Sequence, residues 1–228
     1  MEYYLGGYYV MALVPQEYEN YKNKLICSCS HCINKNLVKL FSGIFYLDEQ
    51  DNNYAVKYGR NNKNSKMIEK WVEDNYTNSI RWPDVFLRKE YAEDFNFFFD
   101  SFSEVKRFSI YFDENETNRL IKYFKPKNKS ENEIGIYQIL DKKIKENNDE
   151  LLLGYDLIGM EISGDFHSFH CHSIEEELSN KFGIRINEYG LFDECSDWDP
   201  VLKALNNQEI GCEPVPWFVV KVKTSATE

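Results

Sequence analysis

The sequence predicts an α+β fold, a mainly antiparallel sheet with several packed helices, in a single domain over residues 1–228. Three observations carry this prediction. Of 228 residues, 43% are hydrophobic and 16% aromatic, which supplies a core and excludes the disordered class, poor in aromatics and in hydrophobic residues. Apolar, β-prone runs near both ends of the chain read as strands. Between them, capping-box sequences open segments of helical period.

The first element is Tyr3 to Val14, where Tyr8-Tyr9-Val10-Met11-Ala12-Leu13-Val14 is too uniformly apolar for a surface strand and reads as buried. Gly6 and Gly7 inside it predict a bulge or a close approach by another backbone. Leu37 to Leu47 and Tyr54 to Tyr58 read as strands, and Gly59-Arg60-Asn61-Asn62 as a turn. Met67, Ile68, Trp71 and Val72 follow Ser65 with helical spacing and place Trp71 as a core anchor. From Tyr91 to Phe102, five phenylalanines (95, 97, 98, 99 and 102) exceed what one helix face needs, so the segment is either buried on several sides or an exposed binding patch. Phe108-Ser109-Ile110-Tyr111-Phe112 alternates as a strand, and a helix follows from about Glu114 to Phe124 with Asp113 as its cap and Glu116 three residues on.

The polar stretch 125–130 is the one weak sub-boundary in an otherwise continuous chain. Beyond it, Ser130-Glu131-Asn132-Glu133 opens a helix whose face, Ile134, Tyr137, Leu140 and Ile144, runs to Asn147. Leu151 to Ser163, the turn Gly164-Asp165 and Phe166 to His172 form a hairpin. A second capping box, Ser173 to Glu176, starts a helix that Gly183 ends, and Ile184 to Phe192 resumes an extended segment. A short helix from Pro200 to Leu205 precedes a last strand, Trp217 to Lys223, whose alternate lysines predict one wet face.

The formal charge of -11, from 38 acidic against 27 basic side chains, excludes nonspecific nucleic-acid binding, which needs Lys and Arg to displace counterions. It fits a basic protein partner, a cation, or simply the solvated surface of a cytosolic domain, the last before the others. The N-terminus has no basic start or signal core, and no window approaches a membrane span, so the expected location is cytoplasmic, with no membrane partner. In that compartment the six cysteines are expected as thiols or metal ligands rather than bridges.

Two Cys/His clusters could carry chemistry. Cys29 and Cys32 have the C-x2-C spacing that lets two thiolates share a tetrahedral zinc, and His167 with His170 or His172 could complete it. On a strand, however, His167 and Cys171 face one way while His170 and His172 face the other. The competing reading makes Cys27 and Cys171 small buried hydrophobes and the histidines surface groups, with no cofactor at all. The same alternation keeps Cys171 from using His170 or His172 as a base, and Asp156, Glu161 and Asp165 read as ordinary solvated carboxylates rather than an acid and base pair. No GxGxxG, P-loop, HExxH or GxSxG motif is present, so the enzyme reading ranks below binding.

The binding reading centres on Asp193, Glu194, Asp197, Trp198 and Asp199, an indole set among carboxylates that reads as a hot spot in an electrostatic rim or as a solvated helix start with Trp198 buried. The segments Leu153 to Gly159, Phe169 to Cys171, Asn187 to Phe192 and Val215 to Phe218 resemble in layout the bacterial immunity-type proteins that neutralise polymorphic toxins. That resemblance implies a non-catalytic protein that occludes a basic toxin domain. A metal-binding protein built on residues 27–32 and 167–172 is the alternative, and a phage-encoded acidic mimic of nucleic acid is a third.

Overall fold

The computed structural model describes residues 1–14, 24–26, 89–90, 92–93, 105–127, 136–161, 166–169 and 174–226. The expected strands at 37–47 and 54–58, the helix around Trp71, the turns at 59–62 and 164–165 and most of the phenylalanine-rich segment lie outside them. Six strands form one antiparallel sheet: β1 (Tyr3–Val14), β2 (Lys24–Ile26), β3 (Val105–Asp113), β4 (Glu150–Met160), β5 (Phe166–Ser168) and β6 (Trp217–Ser225), in the order β2-β1-β3-β6-β4-β5. The described helices are α1 (Glu114–Phe124), α2 (Ile136–Leu140), α3 (Glu175–Phe182) and α4 (Asp199–Asn206). The α+β architecture is therefore the one the sequence predicts. Residues 125–127 are a short helical turn after α1, and strands from both sides of it share the sheet.

Period-two alternation gives the sheet two different faces. Phe108, Ile110 and Phe112 on β3, Phe218, Val220 and Val222 on β6 and Ile158 and Met160 on β4 line one face and pack against Leu120 and Phe124 of α1 and Ile136, Tyr137 and Leu140 of α2. On the other face Leu157, Val219 and Trp217 meet Leu178 of α3 and Val201, Leu202 and Leu205 of α4. Of the two glycine alternatives for β1 the bulge holds, its register with β3 shifting between Leu5 and Gly7; what crowds Gly6 is a side chain rather than another backbone, since a Cβ there would lie 2.5 Å from the Phe112 ring.

Local signals place α1, α3 and α4. Asp113 caps α1 by accepting the Glu116 N–H at 2.8 Å. Gly183 ends α3 in a left-handed conformation, φ 69°, and Pro200 sits in the first turn of α4. The N-cap of α3 is Ile174, with no side-chain cap, so the expected capping box is out of step with the helix.

Four expectations are corrected. The helix drawn to Asn147 stops at Leu140, because residues 144–146 leave the helical path to pair with β1: Leu5 N–H donates to the Ile144 carbonyl (2.8 Å) and Glu146 N–H to that of Tyr3 (3.0 Å). The return strand of the hairpin ends at Ser168, where Phe169 turns inward against Phe192. The segment 184–192 is a folded-back turn, Ile186 bridging to Phe192, rather than an extended strand. The alternate lysines of β6 do not face water: Lys221 and Lys223 both donate to Glu146, and Lys223 is 4% exposed.

Past the last ladder pair, Tyr111 with Lys221, strand β3 no longer accompanies β6. Side chains take its place. Glu116 Oε2 accepts the Val219 N–H (3.2 Å), Arg119 donates to the Trp217 carbonyl, and Asn206 Oδ1 accepts the Trp217 N–H (2.9 Å). Arg119 also grips Glu116 with two hydrogen bonds, at 2.9 and 2.6 Å, and lies 4.0 Å from the Phe218 ring centre. Burial pushes the Glu116 carboxyl up, against the pull of Arg119.

Removing the guanidinium leaves that buried carboxylate half-partnered. Arg119→Met is expected to cost about 3 kcal/mol in urea unfolding, the low end for a broken buried pair because Arg119 keeps 36% of its side chain in water. Asp113→Ala, which removes only the helix cap, is expected to cost about 1 kcal/mol.

Candidate functional site

The loop that carries the candidate site begins where the chain folds back after α3. Asn187 organises the turn: its Oδ1 accepts the N–H groups of Tyr189 (3.0 Å) and Leu191 (3.2 Å), and its Nδ2 donates to the Leu153 carbonyl (2.7 Å). This is the local bonding that makes Asn a turn residue. Gly190, at φ 73°, completes the reversal. Phe192 then pairs with Tyr155 through two backbone hydrogen bonds, 2.8 and 2.7 Å, so the outer edge of β4 ahead of its pairs with β5 is covered here by a loop.

From this anchor the chain passes through Asp193, Glu194, Asp197, Trp198 and Asp199. All four carboxylates are exposed. Asp193 is tied back by its N–H to the Arg185 carbonyl (2.8 Å), and Asp197 Oδ1 accepts the Asp199 N–H (3.0 Å) at the entry to α4. Trp198 is half-buried, its ring tilted against Tyr155 at 5.6 Å and edge-on to Phe192 at 6.1 Å between centroids. Trp198 packs on the core that α4 covers, and its acidic neighbours are in water.

The aromatic support was not visible in the sequence. Tyr155 is 4% exposed, burial pushes its hydroxyl well above the ordinary tyrosine range, and it hydrogen-bonds with Tyr3. The Tyr3 ring in turn lies 3.5 Å from Lys221 Nζ. The only sequence signal for this chain of contacts was the density of tyrosine itself.

Of the candidate metal ligands, Cys29, Cys32 and His170 lie outside the described residues. His167 is on β5, opposite Gly159, with Nε2 2.8 Å from Glu161 Oε1 and Nδ1 3.5 Å from Glu213 Oε1. Each ring nitrogen thus faces a carboxylate, on opposite sides of the ring. Among the described residues no group of three or more His, Cys, Asp or Glu side chains is placed to hold a metal ion. Asp156 is not the solvated carboxylate expected of it. It is buried in β4 opposite Val220, on the face away from His167, which the strand register makes unavoidable.

No family model, no curated protein and no solved structure matches this chain. Among the described residues no helix is long and apolar enough to cross a membrane.

Two measurements separate scaffold from surface here. Trp198→Ala is expected to lower the melting temperature, since half the indole packs on Tyr155 and Phe192, whereas Asp193→Asn and Glu194→Gln are expected to stay within about 0.5 kcal/mol of the parent. For the zinc alternative, metal content decides: protein purified without added metal and carrying less than about a tenth of an equivalent of zinc removes it.

Proposed function

We propose that this chain is a non-catalytic binding protein that occludes a basic protein partner through the surface around Trp198, acting as the immunity-type resemblance implies. The observation that carries the reading is the pairing of a Trp ring fixed from behind by Tyr155 and Phe192 with four exposed carboxylates around it. Trp anchors in partly desolvated pockets dominate many interfaces, while rim charges steer the approach.

The loop's carboxylates stand in water, and the Cys195 Sγ–H is engaged with the Asp197 carbonyl at 3.1 Å. A rigid acidic and aromatic face suits a basic surface, such as the cationic cleft with which a nuclease domain holds its phosphates. Occlusion then needs shape and charge only.

The test is capture of the product of a neighbouring gene, followed by protection of cells that express it. Trp198→Ala is expected to weaken binding by about 2 kcal/mol or more, and neutralising Asp193, Glu194, Asp197 and Asp199 together to slow association and flatten its salt dependence. If no adjacent gene encodes a toxin and the chain protects cells from none, the proposal fails.

A further inference from the structure

Between α2 and β4 the chain crosses the end of the sheet with almost no apolar attachment. Residues 141–149 are all exposed except Glu146, and even Ile144 keeps 46% of its surface in water. The stretch leaves α2 through a tight turn, closed by the Lys142 N–H to the Ile139 carbonyl and the Lys143 N–H to that of Leu140. Lys143 is left-handed there, φ 48°, a conformation that a side chain disfavours. Two backbone hydrogen bonds then join it to β1, from Leu5 to Ile144 and from Glu146 to Tyr3. Its single inward side chain does the rest. Glu146 accepts from Lys221 at 3.1 Å and Lys223 at 2.9 Å, and Lys223 reaches on to the Asn147 carbonyl at 2.6 Å.

We propose that residues 141–149 are a strap that opens locally, with the sheet beneath intact, when Glu146 loses its charge. Segments with few buried apolar contacts and exposed hydrogen bonds open at a fraction of the global unfolding free energy; Glu146 is this one's inward ion-pair contact, and beside it stand the two backbone bonds to β1, the Lys223 bond to Asn147 and a long bond, 3.4 Å, from the Asn147 N–H to the Tyr111 hydroxyl. The groups around that carboxylate are Lys221 and Lys223 from β6, Tyr3 from β1 over the Lys221 ammonium, and Tyr111 from β3, whose hydroxyl donates to Glu150 at 2.9 Å. Tyr155 of β4 and Glu194 lie within electrostatic reach of Tyr3. The outward ties, Lys125 to Asp141 at 2.7 Å, Lys145 to Glu2 and Lys143 to Glu114 at 3.9 Å, are exposed ion pairs worth little each.

Neutral Glu146 leaves two sequestered ammonium groups side by side without a counter-charge. Burial pushes its carboxyl up, and the hydrogen bonds from Lys223 and Lys221 outweigh it, holding the group below its ordinary value of 4.5. A depressed carboxyl contributes its stabilisation above 4.5 and loses it as pH falls through the folded value, so the strap is fastened at neutral pH and releases in acid. An open strap presents Lys221 and Lys223 beside Tyr3 and Tyr111, a face opposite in sign to the 193–199 loop.

Amide hydrogen exchange by NMR on the full chain tests the strap, at pH 7 for the parent and Glu146→Gln, and for the parent on acidification below 4.5. The amides of Leu5 and residue 146 are expected to lose protection by about tenfold or more, the worth of one charge-assisted hydrogen bond, while Phe108 and Val220 keep theirs. Unchanged protection at Leu5, or loss in step with Phe108 and Val220, overturns the proposal. Should Glu146→Gln fail to fold, the order in which these amides of the parent lose protection in acid decides the matter alone.

Discussion

Strand β6 lies inside the sheet, yet β3 runs beside it only from Lys221 to Lys223, and the polar backbone of Trp217 and Val219 is left to find other partners. A buried N–H or carbonyl without a partner costs on the order of 1–3 kcal/mol, so this requirement shapes the elements on both sides. It fixes where β3 ends: the chain leaves the sheet at Asp113, and the third residue of the helix that follows, Glu116, accepts the Val219 N–H. Arg119, one turn later, reaches the Trp217 carbonyl, and from the opposite face Asn206 of α4 reaches both polar groups of Trp217. Helices α1 and α4 are thereby both locked to Trp217, and α1 to Val219 as well. Their apolar burial supplies most of the energy, and these polar contacts set the register in which it is realised.

How legible this was depends on the range of the interaction. The bounds of α1, the stop at Gly183 and the start at Pro200 follow from residues that act on their own neighbours, and all three were readable. Glu116 was readable only as a cap partner, three residues from Asp113. Its actual role depends on a strand 103 positions away, which no local pattern encodes. Ile134, Tyr137, Leu140 and Ile144 continue a helical period, but the bulged start of β1 takes the backbone of 144–146 as its partner, and the tertiary demand overrides the local one. The lysines of β6 mislead for the same reason: alternation tells which face they share, not that Glu146 would cover them. For the site, the acidic loop was visible as composition, whereas its support by Tyr155 and Phe192 required the fold. The cysteine cluster at 27–32 lies outside the described residues, so the geometry of that cluster does not enter the comparison.

The distribution of charge follows from these placements. Lys221 and Lys223 are drawn inside and compensated by Glu146, and Arg119 is spent on Glu116, so cations are consumed by the interior of a chain that already has few. The carboxylates of the 193–199 loop stay in water, with no basic side chain in that loop to quench them. A locally negative patch results, beside the half-buried ring of Trp198.

The order of the loop bears on the binding proposed for it. A binding loop that must order on contact loses about 0.5–1.5 kcal/mol for each flexible side chain it immobilises. Here the order is already present: Asn187 fixes the turn, the paired hydrogen bonds of Phe192 and Tyr155 fix the strand edge, and Asp197 closes the entry to α4. Trp198 is therefore held by packing on one side and free on the other before any partner arrives. The same hydrogen bonds that protect an exposed strand edge from pairing with other chains thus prepare the face that a basic partner would meet, and a substitution at Asn187 would disturb both properties together.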